Sequence, residues 1–333
     1  MPKKKIFITR TVPDLAVKML KKYKDFDVRM YKSDEKIPRK VLLKNVKGCS
    51  AILSLLTEKM DAQVMDAAGP NLKVIANYAV GFANIDLAAA KERGIKVGNT
   101  PCNEVSESVA EFTFSLLMSL SRRIVESDKY TRTGKYEEWK PMLMLGRDVY
   151  NKTLGVVGLG RIGQQVCRRA AKGFGMKVLY TDMRRNPKFE KEYKAKKVSL
   201  NTLLKQSDYI SLHVPLLPAT RRMISTKQLK MMKKTAYLIN TARGPVVHEK
   251  ALLRALYSNQ ISGAALDVFE CEPAIDCDVK DRYELRKLDN VIITPHTASA
   301  TIEARDAMAK LAAGNIIGVL KNKKAPTLVK IKK

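Results

Sequence analysis

Apolar residues fall into short runs separated by stretches whose apolar positions recur every three or four residues. In the first hundred residues IFIT (6–9), VRMY (28–31), AILSLL (51–56), VIANY (74–78) and KVG (96–98) read as strands, while 13–23, 38–46, 61–68 and 86–93 carry helical spacing. Strand then helix, four times over, predicts a parallel sheet covered on both faces. Thr100-Pro101 interrupts the alternation. A longer helix is predicted over about 103–122, where Val105, Val109, Phe112, Leu116 and Leu120 recur along one face.

A second series begins near Thr153. TLGVVG (153–158), VLYTD (178–182), YISLH (209–213), AYLIN (236–240), GAALD (263–267) and VIIT (291–294) give six strands, with helical stretches between most of them. Six such units complete a doubly wound dinucleotide fold. The amphipathic segment at about 300–320 is therefore expected to return to the first domain. The expected fold class is α/β, with two doubly wound parallel-sheet domains and a cleft between them. Residues 1–99 and 299–333 form one, discontinuous and flavodoxin-like; residues 100–298 form a Rossmann domain. Crossings near 99–101 and 296–300 are expected to act as hinges.

The length of 333 residues suits two cores. No stretch reaches the roughly 18 uninterrupted apolar residues of a membrane span, and MPKKKIFITR holds no apolar run of signal-peptide length, so a cytoplasmic location is expected and no membrane partner. Five cysteines without a C-x-x-C pair suit reduced thiols, and His213, His248 and His296 are too distant in sequence to complete a zinc site with Cys271 and Cys277, so no metal is expected.

Charge alters the picture more. With 62 Lys+Arg against 33 Asp+Glu the net charge is +29, a field that steers small anions and attracts polyanions. The lysines are scattered; the densest runs are Lys3 to Lys5 and the tail KNKKAPTLVKIKK. Aromatic residues make up only 6%, few for a single-strand binder, so weak adsorption is expected in place of specific nucleic-acid binding.

Candidate chemistry begins at Gly158-Leu159-Gly160-Arg161-Ile162-Gly163, a G-x-G-x-x-G that follows an apolar strand and opens a helix. Asp182 ends the next strand, 19 positions after Gly163. In that context the glycines let the backbone approach a pyrophosphate at the helix N-terminus, and Asp182 accepts hydrogen bonds from the adenosine ribose. The cofactor is expected to be NAD. Asp182 repels a 2′-phosphate, which favours NADH, although Arg184 and Arg185 just downstream keep NADP open. About 150 residues precede the motif, unlike dehydrogenases of L-hydroxy acids.

The pieces YAVGFANID (78–86), GVVGLGRIG (155–163), SLHVPL (211–216), LINTARGPVV (238–247), GAALDVFECEP (263–273) and ITPHTASAT (293–301) resemble the D-isomer-specific 2-hydroxyacid dehydrogenases, and within them the glyoxylate/hydroxypyruvate reductases, from about Ile6 to Thr327. The resemblance implies reduction of a small 2-oxo acid to the D-2-hydroxy acid. It makes Arg243 the binder of the substrate carboxylate and carbonyl oxygen, His296 the acid/base and Glu272 its carboxylate partner. The chemistry needs these types: a guanidinium fork orients a carboxylate, and an alkoxide formed by hydride arrival needs a proton donor in place. A neighbouring carboxylate favours the charged imidazole.

The resemblance further sets His213, Pro215, Thr220, Thr241, Ala242, Asp267, His296 and Ala298 beside the cofactor. It gives the Val80-Gly81 backbone to the substrate carboxylate. It also implies a segment around Trp139 that reaches across a dimer, and the apolar residues Phe112, Phe114, Leu116, Leu117 and Met118 are too many for one buried face. A homodimer is therefore expected, in which Trp139 and Leu55-Leu56 narrow the partner's cleft to small substrates. From residue type alone, His213 is a rival acid/base. Several positions depart from the pattern: His248 stands where relatives carry Asp and is read as a helix-start residue that loses a cap; AIDCDVKDRYELRK (274–287) is an insert; Ala298 replaces a glycine. Val80 in place of Lys counts against phosphite oxidation, and Glu272 in place of Gln against formate oxidation. D-3-phosphoglycerate dehydrogenase and an NAD-sensing corepressor are the alternatives.

Overall fold

The computed structural model describes residues 2–272 and 285–331, and the chain divides into two compact units, Met1–Val105 with Ala300–Lys333, and Ser106–Ser299. The first limit falls inside a helix, Asn103–Ser121, and the second between Ser299 and Ala300.

In the first unit five parallel strands, β1 (Lys4–Ile8), β2 (Phe26–Met30), β3 (Ala51–Ser54), β4 (Val74–Asn77) and β5 (Lys96–Gly98), stand in the order β2-β1-β3-β4-β5, the flavodoxin-like arrangement. Burial of every residue of β3 and β4 explains their continuous apolar runs. The final helix, α12 (Ile302–Leu320), packs on α1 (Asp14–Lys21) and β4. Its buried Asn315 meets Gly98, where a Cβ would come within 2.6 Å of the amide. Asn315 also donates to Asn99 O at 3.2 Å and Thr327 Oγ1 at 3.0 Å, which ties the returning tail to β5.

The second unit carries seven parallel strands in the order β12-β11-β10-β9-β6-β7-β8. They are β6 (Thr153–Val157), β7 (Lys177–Thr181), β8 (Lys196–Lys197), β9 (Tyr209–Leu212), β10 (Tyr237–Asn240), β11 (Gly263–Leu266) and β12 (Val291–Ile293). Alternate residues feed two cores, with Leu154, Val156, Tyr209 and Ile239 in one and Val157, Ile210, Leu212 and Leu238 in the other. The strand absent from the expected six is β8, a two-residue edge of lysines with no apolar signal. A short helix, Ile124–Arg132, was also absent from the pattern, for it buries no residue.

Among the described residues no helix is long and apolar enough to cross a membrane. Cys49, Cys102 and Cys167 form no disulfide, but Cys271 is disulfide-bonded, against the expectation of reduced thiols. An odd total excludes complete pairing and nothing more. Cys277 and most of the 274–287 insert lie outside the described residues.

Candidate active site

The candidate residues of the second unit follow the carboxyl ends of its strands, where ligands bind in open α/β sheets. Gly158, directly after β6, has φ +96°, and a Cβ there would stand 2.7 Å from His213 O. A Cβ on Gly163 would stand 2.1 Å from Gly158 O. The chain's own packing therefore demands both glycines. Around Gly160 there is nothing within 4 Å, so its missing side chain leaves room for something other than protein. That open face lies at the N-terminus of α7 (Arg161–Phe174) and fits a cofactor pyrophosphate.

Asp182 holds the loop from the next strand, accepting Leu159 N–H at 2.7 Å through Oδ2 and Arg184 N–H at 3.2 Å through Oδ1. The Arg185 guanidinium is drawn to Glu190, with Nε at 2.8 Å and Nη2 at 2.7 Å from Oε2. Tyr180 Oη also donates to Glu190, at 2.7 Å. Arg161 and Arg184 are exposed and Ile162 half-buried.

Glu272 and His296, distant in sequence, meet in the structure. Glu272 Oε1 contacts His296 Nδ1, which leaves Nε2 as the imidazole's other nitrogen. His296 has φ +55°, in the left-handed region, where a residue with a Cβ is strained by about 1–3 kcal/mol. Fully buried Asp267 holds that conformation: its Oδ1 accepts Thr294 Oγ1 at 2.7 Å and Thr297 N–H at 2.8 Å, and its Oδ2 accepts Ala298 N–H at 2.9 Å. Both Asp267 oxygens, expected beside the cofactor, are thus engaged by the His296 loop. Ala298 O accepts Ser108 Oγ at 3.1 Å.

Arg243 follows β10 and precedes the 3-10 turn Gly244–Val246. Asn240 shapes its approach, accepting Ala242 N–H at 3.0 Å and donating to Arg243 O at 3.1 Å. Burial lowers the Arg243 guanidinium below its ordinary range, and the Glu272 charge opposes that shift in part. The positive group is therefore only partly solvated.

His213 Nε2 is paired with Ser211 Oγ at 2.8 Å, its Nδ1 is buried without a partner, and burial pulls the imidazole down to about 3. Thr220 ties the following loop, donating to Pro215 O at 2.6 Å and accepting Leu217 N–H at 2.8 Å. Thr241 Oγ1 meets Thr113 Oγ1 at 3.0 Å. His248 stands at a helix start without a side-chain capping bond.

In the first unit, Leu55-Leu56 and Val80-Gly81 follow β3 and β4. Asn99 Nδ2 donates to Val80 O at 2.8 Å and Asn77 Nδ2 to Gly81 O at 2.9 Å, which fixes those peptide planes. Asn84 Nδ2 reaches Leu55 O at 3.0 Å, and buried Glu58 accepts Leu55 N–H at 2.7 Å. Sequence reasoning missed Glu58, Asn77 and Asn84. The available signal was a polar residue closing an apolar run, as in VIANY. Trp139 is 77% exposed, in a stretch outside any helix or strand.

Residues 114–298 match the family model of the D-isomer specific 2-hydroxyacid dehydrogenase NAD-binding domain. The glyoxylate reductase of Korarchaeum cryptofilum is 47% identical over 98% of this chain and 96% of its own length. That of Thermococcus kodakarensis is 46% identical over the same shares. A crystal structure of a Thermus thermophilus protein, 40% identical, superposes with a TM-score of 0.90 over 98% of this chain and 100% of the other.

Proposed function

Because the chain belongs to the D-isomer specific 2-hydroxyacid dehydrogenases, we propose that it reduces glyoxylate or hydroxypyruvate to the D-2-hydroxy acid, with Arg243, Glu272 and His296 as its machinery. It is an NAD-dependent oxidoreductase of 2-oxo acids. The observation that carries the assignment of roles is the contact of Glu272 with His296 Nδ1.

Arg243 pairs with the substrate carboxylate and polarises the adjoining carbonyl. Backbone N–H groups of Val80 and Gly81 are further proposed donors to the carboxylate. Bound nicotinamide supplies the hydride. His296, oriented through Nδ1 by Glu272, donates a proton from Nε2 to the carbonyl oxygen as negative charge develops there. Gly158 to Gly163 and Asp182 hold the dinucleotide.

A homodimer and a cytoplasmic location belong to the same reading. Tyr136, Trp139, Met142 and Leu145 are all more than half exposed within one short stretch, which suits cover by a second copy. The cofactor is an intracellular coenzyme.

The test is direct: purified protein with NADH and a panel of 2-oxo acids, followed by NADH absorbance. Glyoxylate and hydroxypyruvate should be reduced faster than branched 2-oxo acids. Faster turnover of a branched acid, or no NADH oxidation with any of them, overturns the proposal.

A further inference from the structure

We propose that Glu249 and Glu270 form a carboxylate clasp that sets the position of Glu272, which makes Glu249 a positioning residue for the proton donor. The inference rests on the roles proposed above for Glu272 and His296. Glu249 opens the helix Glu249–Tyr257, is only 5% exposed, and has no part in the mechanism.

Its Oε1 accepts the Glu270 backbone N–H. Glu270 returns the bond, accepting Glu249 N–H at 3.2 Å through Oε2. Arg222 closes the cluster on Glu270 Oε1, with Nε at 2.7 Å and Nη2 at 2.6 Å. Two carboxylates side by side would repel. Here each is met by an N–H donor, and the guanidinium supplies the opposite charge.

The clasp reaches both sides of the candidate site. Arg222 N–H donates to Pro245 O at 2.7 Å, which anchors it to the turn after Arg243. A Cβ on Gly244 would lie 1.8 Å from Phe269 C and O and 2.5 Å from Glu270 N, so the 269–270 backbone lies directly on the residue following Arg243. From there Glu272 N–H closes a turn onto Phe269 O at 3.2 Å. The path from Glu249 to Glu272 is therefore held at each step, and Glu272 ends against His296. A buried carboxylate is a weak device for stability alone. Its value here is the geometry it imposes on a second carboxylate.

The test compares pH profiles of glyoxylate reduction at saturating NADH for wild type, Glu249→Ala, Glu249→Gln and Glu272→Gln, with NADH binding followed by fluorescence. Glu272→Gln should bring the alkaline loss of activity to lower pH. Glu249→Ala should move it in the same direction and lower kcat by roughly 10- to 100-fold, the penalty of a misplaced group, with NADH affinity unchanged. Glu249→Gln keeps an acceptor for the Glu270 N–H and should retain the wild-type profile. A wild-type profile in Glu249→Ala, beside a shifted Glu272→Gln, overturns the clasp. A wild-type profile in Glu272→Gln overturns the assigned role of Glu272 itself, and with it the clasp's function. If Glu249→Ala does not fold, Arg222→Gln loosens Glu270 from its exposed side: a shifted profile supports the clasp, and an unshifted one overturns it.

Discussion

Asp267 and His296 are bound to each other through the main chain, His296 N–H donating to Asp267 O at 2.9 Å while the Asp267 carboxylate holds Thr297 and Ala298 N–H just beyond the histidine. The left-handed backbone of His296 is thereby imposed from the end of β11, and the ring is presented to Glu272 with little freedom to turn away.

Replacing His296 by Ala should lower turnover about 10²–10⁴-fold. In wild type, reduction consumes a proton and should decline towards alkaline pH, while oxidation of the hydroxy acid improves. Stopped-flow or steady-state profiles in both directions check this. Near wild-type rates in His296→Ala would remove the histidine from the mechanism.

Wild type should prefer NADH to NADPH in kcat/KM. Asp182 presents a carboxylate at the strand end, and Glu190 occupies the Arg185 guanidinium. Asp182→Ser should narrow the preference. A wild-type ratio favouring NADPH contradicts this account of the loop.

Burial holds His213 at about 3 against an ordinary 6.5. Between those values the unfolded chain carries a proton that the folded chain refuses. The stability due to His213 is therefore complete above about 6.5 and is lost as pH falls towards 3. His213→Asn, which does not titrate in this range, should flatten the acid side of a plot of Tm against pH. Parallel slopes for the two proteins would show that His213 is protonated in the folded state.

Trp139→Ala should relax the preference towards bulkier 2-oxo acids and leave NADH binding alone. Light scattering should give a dimer for wild type. A monomer at working concentration, or an unchanged substrate profile in the variant, defeats the proposed role of Trp139.

The fold was legible because a strand buried on both faces writes itself as an unbroken apolar run, as at β3 and β10. Lys196–Lys197 escaped for the opposite reason, since an edge strand needs no apolar residue. The glycine motif was legible as three residues but not in its division of labour. Only the structure shows Gly158 and Gly163 answering to the chain and Gly160 to open space. Arg243, Glu272 and His296 were named through resemblance. Their supports, Glu249, Glu270 and Arg222, read in sequence as ordinary surface charges. Nothing in residue type marks a carboxylate whose partner is a main-chain N–H some 20 residues on.

The first unit is assembled from both ends of the chain, with the second inserted whole between them. On the ribosome, residues 1–105 emerge with the surfaces of α1 and β4 that α12 will cover, and those surfaces wait until every residue of the second unit has been made. The inserted unit, continuous in sequence, is free to fold in that interval. The first unit, by contrast, cannot bury those two faces until α12, its last element, has been made.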